Sequence, residues 1–430
     1  MTEKETILEH LDNEYTEPVR DPVWGNIGLS RAMLRLVESP EFQKLARIRQ
    51  LGPTSLVYPG ATHTRLSHSL GVFHISRRMI GVLVRRGTGP SVNLEGVKAF
   101  LCAALLHDIG HFPYAHSFKD LAVERHETLM ARLVTGGNLG KVIRRELGVE
   151  PDAVAAIVDQ RWPYRGVVDV GFFRGILSGV VDPDKLDYLN RDAYFCGVPY
   201  GIQDVDFVLE EVYPHPERSV AISRKGLTAL ENVLFSKYLM YKTVYWHKTV
   251  RIATAMIKKA VTLALRDGAI RKEDLYWLDD EEFFARFTRD KHPAFRLVED
   301  VKERRLYKQV RRVSFNEEDP WHRDLEDHAR RIEAEEALAR EVGHRLGRRL
   351  PVGAVIIDVP ERTPFEIDLP VIDPATGAAV PQREAVTVFR DREREDFPAA
   401  IRSISVNALR DEEVLDALAT LEPGSLPWAR

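Results

Sequence analysis

Residues that could ligate a metal are concentrated in the first third of the chain. Seven of the fourteen histidines lie between His63 and His126. The segment LLHDIGHFPYAHSF places His107 beside Asp108 at the end of an apolar run. A buried carboxylate costs several kcal/mol unless it is paired or bound to a cation. The pair therefore predicts a site for Mg, Mn, Fe, Ni or Zn, which imidazole and carboxylate ligands suit. A helix end with a capping histidine and a surface aspartate is the alternative.

Two further candidate ligands lie outside this segment. His68 follows Arg65 by three residues, so both side chains face the same side of a helix. Asp184 begins a polar stripe with Tyr188 and Asp192, because residues four apart lie on one helical face. The alternatives are a hydrogen-bonded core histidine for His68 and a solvated charged face for the stripe.

These candidates must be positioned by helices. Apolar residues recur with helical spacing from about residue 30 to residue 270, which predicts a mostly helical part of the chain. One helix is predicted over 94–109 and ends at Gly110, since glycine readily adopts positive φ at helix ends. A second helix begins with Asp182 as N-cap and Pro183 in its first position, and it runs to about Phe195.

Beyond residue 270 the sequence pattern changes. Short strands are predicted at 354–359 and 385–389, with a turn at 373–377 between them. A charged helix is predicted over 333–346 and a last helix over 411–421. The expected fold is therefore mainly α, with a helical domain over 1–270. A smaller α+β region over 271–430 would serve oligomerisation or regulation.

Composition is that of an ordinary globular protein with 430 residues, 44% hydrophobic and 29% charged. The formal net charge of −4 argues against wholesale nucleic-acid binding. The acidic N-terminus lacks the pattern of a signal peptide. Apolar runs fall far short of the roughly 20 residues that span a bilayer. A cytoplasmic protein without a membrane partner is expected.

Several blocks of sequence occur in the order found in a known superfamily. They are DPVWGNIGL, ESPEFQKLARIRQLG, YPGATHTRLSHSLGV, LLHDIGHFPYAHSF, RHETL, DPDKLDYLNRD and YWHK. The chain resembles the HD superfamily of metal-dependent phosphohydrolases, and within it the deoxynucleoside triphosphate triphosphohydrolase branch. The resemblance covers roughly residues 20 to 255. It implies an HD-domain helical bundle.

The resemblance implies a role for each candidate residue. One divalent metal ion would be held by His68, His107, Asp108 and Asp184, and a second Mg could accompany the triphosphate. His111 and His126 would transfer protons at the attacked phosphorus, with Glu127 orienting a histidine. An exposed helix start is the alternative for His126 and Glu127.

The same resemblance implies a binding site for a deoxynucleoside triphosphate. Arg65, His116, Lys185 and Lys237 correspond to positions that hold phosphates, and arginine offers a planar fork of donors. Gln50 and Leu51 correspond to positions beside the sugar. Tyr188 would pack against the deoxyribose and exclude a 2′-hydroxyl, and Asp192 would accept from the 3′-hydroxyl. Tyr245 corresponds to a position at the base or sugar, with an ordinary core aromatic as the alternative.

The chain departs from the family at a few positions. Lys119 stands where the family has an acidic residue, and Asp120 follows it. Lys237 replaces an arginine, which keeps the charge but loses bidentate geometry. Glu38 and Ala46 occupy the positions of a regulatory nucleotide site, so activation by GTP is not expected.

The basic stretch at 302–312, KERRLYKQVRR, has three open interpretations. It is a solvated helix face, a subunit interface that binds an activating nucleotide, or a contact for single-stranded nucleic acid, since Tyr307 and Phe315 interleave with the cations. The resemblance also implies a homo-oligomer, either a dimer or a tetramer.

Three functions are consistent with the sequence. The first is hydrolysis of dNTPs to deoxynucleoside and triphosphate. The second is hydrolysis of another phosphate ester by the same kind of centre. The third is a nucleotide or nucleic-acid sensor that retains the fold without turnover.

Overall fold

The computed structural model describes residues 1–89, 92–362, 369–376, 378 and 401–421, and most of these residues lie in helices. The helices of the N-terminal half are α1 (Glu3–Asn13), α2 (Arg31–Val37), α3 (Pro40–Gln43), α4 (Arg65–Arg86), α5 (Leu94–Leu106), α6 (His126–Thr135), α7 (Gly137–Val142), α8 (Pro151–Val158), α9 (Val170–Leu177) and α10 (Pro183–Cys196). They are followed by α11 (Val205–Glu211), α12 (Leu227–Met240), α13 (Lys248–Arg266), α14 (Asp280–Arg289), α15 (Arg296–Lys302), α16 (Pro320–Asp324), α17 (His328–Leu346) and α18 (Glu412–Ala419).

The described strands form three small sheets. A hairpin pairs β1 (Glu17–Asp21) with β2 (Gly25–Leu29). A second sheet has the order β3 (Val212–His215), β4 (Ser219–Ser223) and β7 (Val371–Ile372), of which β4 and β7 are parallel. The third sheet is antiparallel, with β8 (Ser403–Ala408) between β5 (Lys308–Ser314) and β6 (Val355–Asp358). The predicted fold class, mainly α with a smaller α+β region towards the C-terminus, is confirmed.

Helix α5 is the centre of the N-terminal core. It packs against α4 and α8, and every residue from 99 to 106 is buried. A helix that is apolar on all faces is expected to be buried in this way. It ends at Leu106, three residues before the predicted end, so His107 and Asp108 lie in the turn that follows.

Gly110 is needed for a reason other than the predicted one. Its φ is not positive. A Cβ built on Gly110 would lie 2.0 Å from the carbonyl oxygen of His126, so only glycine allows the start of α6 to approach this turn. The glycine therefore brings two segments of candidate site residues together.

Helix α10 begins and ends close to the predicted positions. The Asp182 side chain accepts a hydrogen bond of 2.7 Å from the backbone N–H of Lys185, and Pro183 occupies the first turn. Leu186 and Leu189 are buried, while Asp184 and Tyr188 lie on the face towards the candidate site.

The C-terminal predictions have different outcomes. The helix at 333–346, the strand at 354–359 and the last helix correspond to α17, β6 and α18, and residues 374–376 form the predicted turn. The predicted strand at 385–389 lies outside the described residues. The basic stretch is not one helix face, because Lys302 ends α15, residues 303–307 form a turn and an irregular segment, and residues 308–312 belong to the edge strand β5. Pairing with β8 decides its conformation.

The junction between the two predicted regions is well packed. Helix α13 contributes Met256 and Ile257 to an apolar cluster that also contains Phe112 and Phe118 from the N-terminal part and Phe287 from the C-terminal part. The domain boundary near residue 270 stays a prediction. Across the described ranges, no helix combines the length and the apolar character needed to span a membrane.

Candidate metal centre and active-site cavity

Three separate segments place potential metal ligands side by side. The first turn of α4 carries His68, the turn after α5 carries His107 and Asp108, and the first turn of α10 carries Asp184. Ligand atoms of His68, His107 and Asp184 all lie within 4.8 Å of one another and could hold a metal ion. Asp108 Oδ1 lies 3.4 Å from His107 Nε2. The four predicted ligands are therefore brought together, although their function as ligands stays a prediction.

The side-chain environment of both histidines fits a bound cation. His107 Nδ1 lies 2.9 Å from the carbonyl oxygen of Ala104, while its buried Nε2 has no hydrogen-bond partner in the described part of the chain. His68 Nδ1 lies 2.8 Å from Asp187, which leaves Nε2 directed at Asp184 Oδ1, 2.9 Å away. A metal-ligating histidine usually has its other ring nitrogen held by a carbonyl or carboxylate in this way.

Charge also favours a cation at this position. Burial alone would lower the pKa of His68, but the carboxylates of Asp184 and Asp187 outweigh burial and raise its pKa to about 10. The local potential is thus negative enough to hold a proton, and a divalent cation would replace that proton.

A buried ion-pair network contacts the candidate metal centre through Asp187, which lies 2.8 Å from His68 Nδ1. Asp187 accepts hydrogen bonds from Arg191 at 2.8 and 2.9 Å and from the Trp24 indole at 2.5 Å. Arg191 also contacts Asp21 at 2.8 Å, and its side chain is fully buried. This network was not predicted from the sequence. The Asp187 and Arg191 spacing of four residues on α10 was the available signal.

Asp108 links the candidate metal ligands to a second histidine group. Its carboxylate accepts from Arg65 Nη1 at 2.6 Å and lies 3.1 Å from His111 Nδ1. Burial lowers the pKa of His111 well below its usual value, and the adjacent Arg65 lowers it further. Both effects favour the neutral form of the His111 imidazole.

His111, His116 and His126 form that group. The Nε2 atoms of His111 and His116 are 3.0 Å apart, and the rings of His111 and His126 have centroids 3.8 Å apart. Glu127 Oε2 lies 3.4 Å from His126 Nδ1 and also contacts Arg125. The structure thus brings the predicted proton-transfer residues together.

A cavity of about 520 Å³ lies over both histidine groups. Its lining includes most of the predicted site residues, namely Gln50, Leu51, Arg65, His68, His107, Asp108, His116, His126, Asp184, Tyr188, Asp192 and Tyr245. On one side of the metal ligands, aromatic rings follow the stripe of α10. The ring centroids of Tyr188 and Tyr245 are 6.4 Å apart, and the Tyr241 ring contacts both Tyr245 and Trp246, with centroids 5.0 and 5.5 Å away.

Polar atoms at the aromatic side of the cavity are held in place. Asp192 accepts from the Tyr245 hydroxyl at 2.6 Å and lies 2.8 Å from His63 Nε2. The backbone N–H of Gln50 donates to the carbonyl oxygen of His63, whereas the buried Gln50 Oε1 has no partner among the residues described. That oxygen is available to a ligand donor.

Two of the predicted phosphate-binding residues lie elsewhere. Lys185 Nζ contacts the carbonyl oxygen of Gly179 at 2.7 Å and Asp182 at 2.6 Å, and it is absent from the cavity lining. Lys237 is buried on α12 and is likewise absent from the lining. Their assignment as phosphate-binding residues stays a prediction.

The cavity wall includes residues that sequence analysis did not select. Asp280, Glu361 and Arg362 come from the C-terminal region, and Arg251 comes from α13. No local pattern identifies them, because they reach the cavity only through packing of distant segments. Tyr241 was detectable, since it precedes Tyr245 by four residues.

Comparison with known proteins agrees with this architecture. The HD domain family matches residues 65–159, and the HD associated region matches residues 204–372. The uncharacterized protein YwfO of Bacillus subtilis is 35% identical over 242 residues, or 56% of this chain and 54% of that protein. The deoxynucleoside triphosphate triphosphohydrolase SAMHD1 of Danio rerio is 27% identical over 287 residues, or 59% of this chain and 46% of that protein.

A solved structure extends the likeness to nearly the whole chain. A hypothetical protein from Aquifex aeolicus superposes with a TM-score of 0.70 at 26% identity, covering 93% of this chain and 99% of that one. By these matches the chain is an HD-domain protein with the HD associated region, and its similarity to SAMHD1 of Danio rerio extends over 59% of its length. It spans about half the length of the two relatives named above.

Proposed function

We propose that the protein hydrolyses deoxynucleoside triphosphates to deoxynucleoside and triphosphate. The observation that carries this proposal is the shared cavity, whose wall combines the His/Asp ligand set, the aromatic residues Tyr188 and Tyr245, and cationic side chains such as Arg65. A nucleotide has the complementary division into an aromatic base, a sugar and an anionic phosphate chain. The similarity to SAMHD1, which is named for this activity, supports the choice of substrate.

His68, His107, Asp108 and Asp184 would hold one divalent cation. Bound there, the cation supplies Lewis-acid polarisation of a phosphoryl oxygen. Arg65 would contribute positive charge to the phosphates, although its guanidinium is already engaged by Asp108. The identity of the metal is left open by a mixed His/Asp ligand set.

Proton transfer is proposed for the histidine group. His126 lines the cavity and would accept a proton from a water at the attacked phosphorus, and His111, which is buried against His126, would take part in the same proton transfer. Glu127 beside His126 Nδ1 would stabilise the resulting imidazolium. His116, on the cavity side of the group, would contact the phosphates.

Sugar recognition is proposed for the stripe of α10. Tyr188 lines the cavity one turn after Asp184, which supports a contact between its ring and the sugar of a nucleotide whose phosphate lies at the candidate metal ligands. An ionised carboxylate can accept about four hydrogen bonds, so Asp192 retains capacity for a 3′-hydroxyl. Gln50, through its Oε1 atom, and Leu51 would also contact the sugar.

The C-terminal region is proposed to complete the cavity and to form subunit contacts in a dimer or tetramer. Its Asp280, Glu361 and Arg362 are part of the cavity wall. Sedimentation of the full chain with and without nucleotide measures the oligomeric state.

Product identity is the first expected result. Incubation of the purified protein with each dNTP and NTP in Mg²⁺ or Mn²⁺ should yield deoxynucleoside and intact triphosphate, resolved by chromatography. Stepwise release of inorganic phosphate would contradict the proposed bond cleavage. Absence of turnover with any triphosphate, with metal shown to be bound, would favour another phosphate ester.

Removal of the Tyr188 ring should relax sugar selection. We expect Tyr188→Ala to raise the ratio of kcat/KM for ribonucleotides to that for deoxyribonucleotides about tenfold, since a single steric contact contributes roughly 1–3 kcal/mol of discrimination. Tyr188→Phe keeps the ring and should keep the ratio. An unchanged ratio in Tyr188→Ala would exclude the steric role.

A further inference from the structure

Lys119 presents its side chain to the cavity from a 3-10 helix. This helix spans Ala115–Leu121, and His116 and Lys119 are three residues apart in it. Side chains three residues apart in a 3-10 helix are eclipsed on one face. Both residues line the cavity.

The residues on either side of Lys119 in the sequence point away from the cavity. Phe118 is fully buried in the apolar core. Asp120 accepts from Lys258 Nζ at 2.6 Å and from Arg331 Nη2 at 2.8 Å, which ties the helix to α13 and α17. The carboxylate next in sequence is therefore engaged elsewhere and does not neutralise Lys119.

Lys119 differs from the arginines that line the cavity. Arg65 is paired with Asp108, Arg251 with Asp358 and Arg362 with Glu326, and Arg49 donates to Ser55. Within the described ranges, the ammonium of Lys119 has neither an ion pair nor a hydrogen bond. Its side chain is exposed, so it is hydrated and free to move towards an anion.

The position of Lys119 defines which part of a nucleotide it can reach. The aromatic side of the cavity begins at Tyr188, on α10 beyond Asp184. Lys119 follows His116 by one turn of the 3-10 helix, so it belongs to the part of the cavity wall formed by the second histidine group, His116 and His126. A nucleotide whose sugar contacts Tyr188 would extend its phosphate chain past the metal ligands towards Lys119.

We propose that Lys119 binds the terminal phosphates of the substrate and the triphosphate leaving group, and so selects nucleotides with a polyphosphate chain over monophosphates. This inference rests on the proposed function, because that function sets the orientation of the nucleotide. Lys119 supplies a positive charge to the cavity wall whose ammonium has neither an ion pair nor a hydrogen bond within the described ranges.

Binding of inorganic tripolyphosphate tests the inference without any turnover. Titration calorimetry with excess Mg²⁺ should give a Kd about five- to tenfold higher in Lys119→Gln than in the wild type, the range expected for one partly screened charge-assisted contact. Lys119→Arg should bind nearly as well as the wild type, and Lys119→Asp should bind more weakly than Lys119→Gln. The affinity of Lys119→Gln should also fall less steeply with salt.

Two controls separate binding from a structural effect. Lys141→Gln removes an exposed lysine on α7 and should leave the Kd for tripolyphosphate unchanged. Binding of a deoxynucleoside monophosphate should be equal in Lys119→Gln and the wild type, since the inference places Lys119 beyond the first phosphate. Circular dichroism and thermal unfolding of each variant report folding.

The outcomes distinguish this inference from the proposed function. An unchanged tripolyphosphate Kd in Lys119→Gln, or no binding by the wild type, overturns the assignment of Lys119 even if dNTPs are hydrolysed. Equal weakening of monophosphate binding also overturns it. A selective loss of tripolyphosphate binding supports the assignment even if no dNTP is turned over, and in that case only the proposed reaction fails.

Discussion

Replacing His107 by alanine should give a folded protein that no longer retains its metal. The His107 side chain makes a single hydrogen bond, from Nδ1 to the carbonyl oxygen of Ala104, and its Nε2 has no partner in the described structure. The free energy of unfolding of the metal-free protein should therefore fall by only about 1–2 kcal/mol. Loss of a direct ligand should weaken metal binding by at least about 100-fold, because loss of a supporting contact alone costs 10–100-fold.

Metal analysis of the purified variant, followed by turnover assays at saturating metal, measures both effects. His344→Ala removes an exposed histidine far along α17 and serves as the matched control. Asp108→Ala should also abolish metal binding and activity, but it leaves Arg65 without its carboxylate and so perturbs folding more. A His107→Ala protein with wild-type metal content and turnover would refute the assignment of the centre.

Replacing Arg191 by methionine should destabilise the protein strongly. The guanidinium is fully buried between Asp187 and Asp21, and its removal leaves both carboxylates buried without that partner. Breaking a buried ion pair on one side typically costs about 3–5 kcal/mol. Metal affinity should also fall by about 10–100-fold, since Asp187 orients His68.

Denaturant unfolding in the presence of a chelator measures the loss of stability separately from the loss of metal affinity. Arg35→Met is the matched control, because it breaks an exposed pair with Glu146 and should cost less than about 1 kcal/mol. Adding Asp187→Asn to Arg191→Met should recover part of the lost stability, since one of the unpaired charges is removed. A loss below 1 kcal/mol in Arg191→Met would contradict this view of the network.

Local sequence patterns determined much of this protein. The spacing of apolar residues predicted the helical class, and Asp182 with Pro183 marked the start of α10. The strand at β6 and the helix α17 were also predictable, because their patterns involve residues close in sequence. The four candidate ligands were named from residue types and from order along the chain, and the fold brings them together.

Other features required the tertiary structure because they depend on contacts between distant residues. Helix α5 ends early, and Gly110 allows the start of α6 to approach the turn that follows α5. Trp24 reaches Asp187 across 163 positions of sequence. Residues 308–312 of the basic stretch form a strand because β8 pairs with them, and no charge pattern encodes that partner.

The cavity illustrates the same division. The histidines and aspartates of the cavity could be predicted from the sequence, because residues close together in a short motif also lie close together along a turn or a helix. Asp280 and Arg362 entered the wall only through packing of the C-terminal region over α13. Residue types therefore determined which chemical groups line the cavity. Long-range packing decided which segments enclose the cavity and which of its charged side chains remain unpaired.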